Sequence, residues 1–273
     1  MTIALTHFAA RAGDHNDRAM FATPILADVL SNRLGTDITI LGEPQPASPT
    51  GWDQELALAT PTLREMATRY DQLLTRGHRP VTVLSRCAVA LATLSMIARH
   101  RPDAVVLWFD AHADLNTPEN TTTGYLGGLA LAGPLGLWDS GLGSGLAEQN
   151  AILVGARDID QPEQELIDTA RIGLVPVGLH MADELRRIIA GRPVYVHIDC
   201  DVLEPGTVPT DYAVADGMTL AQLEACAHVL AKGEIVGVEI GELEAEGPGS
   251  RDAEQPARLI VDALDPLFRR ITT

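Results

Sequence analysis

The segment Trp108-Phe109-Asp110-Ala111-His112-Ala113-Asp114 follows directly on the apolar run Ala104–Leu107. Alternate residues of an extended segment point to one side, so Asp110, His112 and Asp114 can converge where a strand opens into a loop. Two carboxylates and an imidazole gathered in this way suit a divalent cation such as Mn²⁺. A solvated polar loop is the plainer alternative, but charges crowded at the end of a buried strand need a counter-ion. A second apolar run, Val194-Tyr195-Val196-His197-Ile198-Asp199-Cys200-Asp201, also ends in two aspartates two positions apart. Alone it reads equally well as a metal site or a polar loop. Together the two strand ends offer four aspartates and one histidine, enough to bridge two metals about 3.5–4 Å apart. Such a pair lowers the pKa of a shared water toward neutrality, so hydroxide becomes available without a side-chain nucleophile.

Both segments need strands to present them. Short β-branched runs alternate along the chain with longer stretches of helical period, the pattern of a parallel sheet covered on both faces. Strands are expected near Ile3–Phe8, Ile38–Gly42, Val81–Ser85, Ala104–Phe109, Ile152–Gly155, Leu174–Val177, Val194–Ile198 and Ile235–Ile240. The clearest helices are Thr60–Thr75, Val89–His100, Gln164–Ala170, Ala182–Ala190, Leu220–Ala231 and Ala253–Arg270, with Thr219 as an N-cap. Periodicity alone does not decide between a closed barrel and an open doubly wound sheet, but either puts the chemistry at the C-terminal strand ends. The stretches Gly42–Gly51 and Gly133–Gly145 read as long surface loops rather than linkers, and one domain is expected across residues 1–273.

Composition narrows the partners. A net charge of -17 repels phosphate backbones and anionic lipid, so neither nucleic acid nor membrane is expected, while a small cationic substrate is compatible. Cys87, Cys200 and Cys226 are odd in number and widely spaced, which favours a reducing compartment. No stretch reaches the roughly 20 apolar residues of a membrane span, so a cytoplasmic protein is expected.

Asp110–Pro118 (DAHADLNTP) and His197–Pro205 (HIDCDVLEP) resemble the two aspartate signatures of the arginase–agmatinase ureohydrolases, and the likeness in order and spacing runs from about Val81 to Glu244. The resemblance implies a three-layer α/β/α fold with an open eight-stranded, mostly parallel sheet, two Mn²⁺ ions per subunit, and hydrolysis at a guanidinium carbon. It also implies that Asp110, His112, Asp114, Asp199 and Asp201 are ligands, Asp110 and Asp199 among those that bridge, with Asp114 and Glu242 in catalytic positions. Asp160 and, through water, Glu163 match the segment that holds a substrate's α-amino group. Asn116 and Thr123 match the positions that bind the α-carboxylate, which favours an amino acid substrate over agmatine. Helix capping is the plainer alternative for Asp160 and Glu163. Glu242 falls where the family sets a carboxylate against the guanidinium, a planar cation well oriented by charge-assisted contacts. Family members commonly form trimers or hexamers.

Two departures qualify the likeness. Where the family has Gly-Gly-Asp-His-Ser, this chain reads Leu84-Ser85-Arg86-Cys87-Ala88, so Cys87 takes a histidine ligand's position. A thiolate is softer than Mn²⁺ prefers, so the first metal would be held weakly or replaced by a softer ion. A buried, inert cysteine is the alternative. The loop Thr123-Gly124-Tyr125-Leu126-Gly127 has Gly127 where arginases carry a histidine thought to shuttle a proton to the leaving amine. No other histidine clearly replaces it; His15, in a loop after the first strand, is the best spare. A less basic hydroxyguanidine, as in Nω-hydroxy-L-arginine, would demand less of that missing acid than arginine does. An ordinary arginase or guanidino-acid hydrolase, and a metal-binding homologue without catalysis, are the rival readings.

Overall fold

The computed structural model describes residues 2–272. The apolar runs form strands β1 (Ile3–Phe8), β2 (Ile38–Leu41), β3 (Arg79–Val83), β4 (Val105–Phe109), β5 (Ala151–Val154), β6 (Gly173–Val175), β7 (Val194–Asp199) and β8 (Ile235–Gly241). They make one open sheet in the order β2-β1-β3-β8-β7-β4-β5-β6, and every described pairing is parallel. All five residues of β3 and of β4 are buried, because a parallel sheet is covered by helices on both faces.

The helices are α1 (Arg18–Leu34), α2 (Trp52–Thr75), α3 (Ala90–His100), α4 (Ala132–Leu135), α5 (Gln161–Asp168), α6 (Met181–Ile189), α7 (Leu220–Leu230), α8 (Glu254–Ala263) and α9 (Asp265–Thr272). On one face Leu26 of α1, Leu185 of α6, Leu223 of α7, Ile260 of α8 and Phe268 of α9 form one core with Val83, Leu107 and Val196. On the other, Leu63 and Met66 of α2 and Leu91 of α3 pack on Trp108 and Tyr195. Two cores either side of one sheet give the three-layer architecture.

Several boundaries depart from the periodicity. Helix α2 begins at Trp52 rather than Thr60, with Pro61 inside it; Thr-Pro imitates an N-cap followed by a first-turn proline. Helix α1, also interrupted in pattern by Pro24, is not among the segments that periodicity singles out. The expected helix Ala253–Arg270 is two, α8 and α9, divided ahead of Pro266. The Gly133–Gly145 stretch is not merely a surface loop: Trp138 and Leu142 are buried with α3 and α4, and Trp138 Nε1 donates to the Leu129 carbonyl at 3.2 Å. Thr219 caps α7 as expected, its Oγ1 accepting from Gln222 N at 3.2 Å while Gln222 Oε1 accepts from Thr219 N at 2.9 Å.

His7 of β1 is buried against α1, with Nε2 2.7 Å from Thr23 Oγ1. Burial is the main influence holding its imidazole at about 4, below the ordinary 6.5, with Asp28 acting the other way. Below pH 6.5 the unfolded chain therefore takes a proton that the folded one refuses. Stability is complete above that pH and falls by about 1.4 kcal/mol per unit as the pH drops toward 4. In urea titrations, His7→Gln should lose about 2 kcal/mol less than the parent between pH 6.5 and pH 5. Parallel losses in the two proteins would count against this assignment.

Candidate metal centre and substrate pocket

The sheet order lines up the candidate residues. Strands β3, β8, β7, β4 and β5 are consecutive neighbours, and their C-terminal ends present in turn Cys87, Glu242, the pair Asp199/Asp201, the group Asp110/His112/Asp114, and Asp160. Phe109 pairs with Ile198 across β4 and β7, and Asp199 pairs with Gly241 across β7 and β8. Asp110, Asp199 and Glu242, next at or beyond these partners, therefore emerge on adjacent strand ends.

Past β4, Asp110 Oδ1 accepts from His112 N at 2.7 Å, folding the chain back so that His112 Nδ1 lies 3.1 Å from both Asp110 Oδ1 and Asp201 Oδ2. Asp114 continues this turn with a φ of 52°, a left-handed conformation uncommon outside glycine. Past β7, Asp199 Oδ1 accepts from Asp201 N at 2.8 Å, and Asp201 Oδ1 accepts from Ala111 N at 3.0 Å. The two aspartate motifs are thus joined by hydrogen bonds across the strand ends. Cys87 Sγ lies 3.2 Å from Asp199 Oδ2.

Ligand-type atoms of Asp110, His112 and Asp201 lie within 4.8 Å of one another, as do those of Cys87, Asp199 and Glu242. The donor set fits hard divalent cations, since it is mostly carboxylate oxygen with one imidazole; the Cys87 sulfur is the single soft donor. The electrostatics agree. Burial and then Asp201 push the Asp110 carboxyl up to about 6. Burial, Asp201 and Asp110 raise Asp199 well above the usual carboxylate range, and burial with Asp110 does the same to Asp114. Asp201 is held low: burial opposes its ionisation, but the hydrogen bond and charge of His112 prevail. Burial, Asp199 and Glu242 push the Cys87 thiol up, so a cation within the group is what would favour its thiolate.

Cys87, His112, Asp199, Asp201 and Glu242 line a cavity of about 210 Å³, together with Asp114, Asn116, Thr123, Tyr125, Asp160, Glu163 and Tyr212, while Asp110 lies beneath them outside its lining. Asn116 donates from Nδ2 to Asp160 Oδ2 at 2.8 Å, while its Oδ1 is buried without a partner. Asp160 is the residue from which α5 starts, and Glu163 Oε2 accepts from Asp160 N at 2.8 Å. Glu163 Oε1 takes the Leu115 N–H at 2.8 Å. The capping alternative for Glu163 is therefore present, and the same contacts fasten the start of α5 to the loop after β4. At Gly127, an added Cβ would fall 2.3 Å from Tyr125 Cε1, so Tyr125 occupies the room that a side chain there would need. His15 lies behind this wall, edge-on to Tyr125 at 4.7 Å between ring centroids and paired with Glu55.

Sequence reasoning left out His197, Arg86 and Tyr212. His197 Nε2 is 3.2 Å from Cys87 Sγ, its Nδ1 is 2.8 Å from Glu239 Oε1, and its ring stacks on Trp108 at 3.6 Å. The signal for it was there: in Val194–Asp199 the period of two puts Tyr195, His197 and Asp199 on one face. Tyr212, on an irregular segment, carries no pattern that would reveal it.

Comparison with known proteins places residues 35–264 within the model of the arginase family. The chain is 43 % identical over 242 residues to an N(omega)-hydroxy-L-arginine amidinohydrolase from Streptomyces lavendulae, covering 89 % of this chain and 88 % of that one. It is 26 % identical over 190 residues to an arginase from Bacillus caldovelox, covering 63 % of each. Among solved structures, an arginase from Bacillus subtilis superposes with a TM-score of 0.81 at 20 % identity, over 97 % of this chain and 98 % of that one. Proclavaminate amidino hydrolase from Streptomyces clavuligerus superposes with a TM-score of 0.71 at 18 % identity, over 99 % and 92 %.

Proposed function

Because the chain belongs to the arginase family, we propose that it is an amidinohydrolase that cleaves Nω-hydroxy-L-arginine with water to give hydroxyurea and L-ornithine, as a step in D-cycloserine biosynthesis. The observation that carries this choice within the family is the wall at Gly127, where Tyr125 takes the space of a proton-relaying side chain beside a cavity lined by Asp114, Asp199, Asp201 and Glu242. A substrate whose guanidino group is less basic suits such a site.

Asp110, His112, Asp114, Asp199 and Asp201, with Cys87, would hold two Mn²⁺ ions. Bound there, the ions supply Lewis acidity and hydroxide near neutral pH. The chain's own groups do the rest. Glu242 orients the guanidino group by accepting its N–H bonds. Asp114 takes the proton that the attacking water gives up and passes it to the ornithine nitrogen as the C–N bond breaks. Asn116 and Thr123 face the α-carboxylate, and Asp160 and Glu163 the α-amino end. The free, buried cysteines support a reducing, cytoplasmic setting, and among the described residues no helix is long and apolar enough to cross a membrane. One catalytic domain, assembled as a homotrimer or hexamer, completes the reading.

The test is turnover of Nω-hydroxy-L-arginine, L-arginine and agmatine by protein loaded with Mn²⁺. Hydroxyurea should be the main product, and a clear preference for arginine or agmatine would sink the proposal. Cys87→His exchanges the soft donor for imidazole, so it should tighten retention of the first Mn²⁺ about tenfold in a chelator competition and shift activity toward arginine. Unchanged metal retention and selectivity would leave Cys87 as packing alone.

A further inference from the structure

Arg86 is 1 % exposed, yet it lies within 4 Å of four carboxylates: Glu242 at 2.5 Å, Glu244 at 3.2 Å, Asp14 at 3.5 Å and Asp211 at 3.6 Å. These partners are not equivalent. Arg18 also serves Asp211 at 2.6 Å and Glu244 at 3.0 Å. Asp14 is pushed up to about 6, chiefly by burial, and takes a hydrogen bond from Ser85 Oγ at 3.0 Å. For Glu242, Arg86 is the cation that pairs with it among the described residues. The Glu242 carboxylate is therefore held twice: Arg86 Nη1 donates to Oε2 at 2.5 Å, and Cys87 N donates to Oε1 at 3.0 Å. Its remaining lone pairs serve the cavity that it lines.

Resting on the functional reading above, we propose that Arg86 is a positioning residue that sets substrate selectivity, by presenting Glu242 to the pocket as half of an internal ion pair. The pair has no net charge. A neutral hydroxyguanidine needs only correctly placed acceptors, which a carboxylate fixed from behind provides. The guanidinium of L-arginine brings its own positive charge to a carboxylate already matched by Arg86, and the two guanidinium groups oppose one another across it. Selectivity then comes from a repulsive element directed at the competitor as well as from contacts to the favoured ligand. The arrangement is hard to relax, because the buried Arg86 guanidinium is held through Nη1 and Nη2 by hydrogen bonds to Glu242, Glu244 and Asn16, while its Nε, without a hydrogen bond, lies 3.5 Å from Asp14 Oδ1.

The experiment compares wild type, Arg86→Lys and the double variant Arg86→Met/Asp14→Asn, which removes one positive and one negative charge together. Folding is checked by thermal melts. For each protein kcat and KM are measured with Nω-hydroxy-L-arginine and with L-arginine, and L-arginine is also tested as a competitive inhibitor. In the double variant the inhibition constant of L-arginine should fall about tenfold, and the kcat/KM ratio of hydroxyarginine over arginine should fall about 30-fold or more. Arg86→Lys, which keeps the charge without the fork, should lie between, and if the double variant does not fold, a drop of about threefold in the Arg86→Lys ratio carries the proposal. A purely structural role would lower both substrates by one factor. An unmoved ratio with unmoved inhibition by arginine overturns the role of Arg86 alone, whereas a wild type that prefers L-arginine overturns the functional reading along with it.

Discussion

Asp199→Asn is expected to cut turnover of Nω-hydroxy-L-arginine by about 10³-fold, on the scale of losing one preorganised electrostatic contact in an active site. The substitution keeps the size of the side chain and removes its charge. Asp199 belongs to one group of ligand-type atoms and is tied to the other, with Oδ2 3.2 Å from Cys87 Sγ and Oδ1 accepting from Asp201 N at 2.8 Å. An amide in its place can accept the Asp201 N–H but cannot balance a shared divalent cation. Elemental analysis after gel filtration should therefore show fewer than two Mn²⁺ per chain together with the drop in rate. Full metal content with a rate within tenfold of the parent would remove the paired-ion reading. Burial and Asp201 disfavour the charged form of Asp199 in the metal-free protein, so an amide of the same size should fit there, and a thermal melt of the metal-free variant checks that the fold is kept.

The second large effect is on the substrate side. Glu242→Gln should lower kcat/KM for hydroxyarginine by about 10²-fold, most of it in kcat, with metal content retained. The amide oxygen can still accept from Cys87 N, but the paired acceptors facing the guanidino group become one acceptor and one donor. The Arg86 guanidinium, 2.5 Å from Glu242 Oε2 in the parent, also loses its charged partner. A change confined to KM would mean that Glu242 contributes binding common to ground and transition states. No change would remove it from the site.

What sequence reading could recover follows from how local each feature is. The aspartate motifs were legible because each is a few consecutive residues at the end of an apolar strand, where period-two geometry says which side chains converge. The strands were legible for the same reason; β1 matches its expected span of Ile3–Phe8. Helices were harder wherever proline gave a misleading signal, as at Pro61 within α2. The Arg86 cluster could not be read at all. Its partners, Asp14, Asp211, Glu242 and Glu244, come from three distant parts of the chain, and a lone arginine beside a cysteine carries no periodicity. Tyr125 was visible as a residue of the Thr123–Gly127 loop, but that its ring would fill the space over Gly127 depends on packing. Asp160 and Glu163 were legible in both of their readings, and the structure gives Glu163 the cap and the cavity wall together.

The backbone at Asp114 and at Glu242 has φ of 52° and 65°, a conformation that costs non-glycine residues of order 1–3 kcal/mol where the surroundings impose it. Glycine at either place would relax that strain and erase a carboxylate from the pocket. A laboratory evolution campaign scored on heat tolerance alone should then enrich glycine at these two codons and deliver robust but inert protein. Screening for product at every round is what would keep the two traits from being traded.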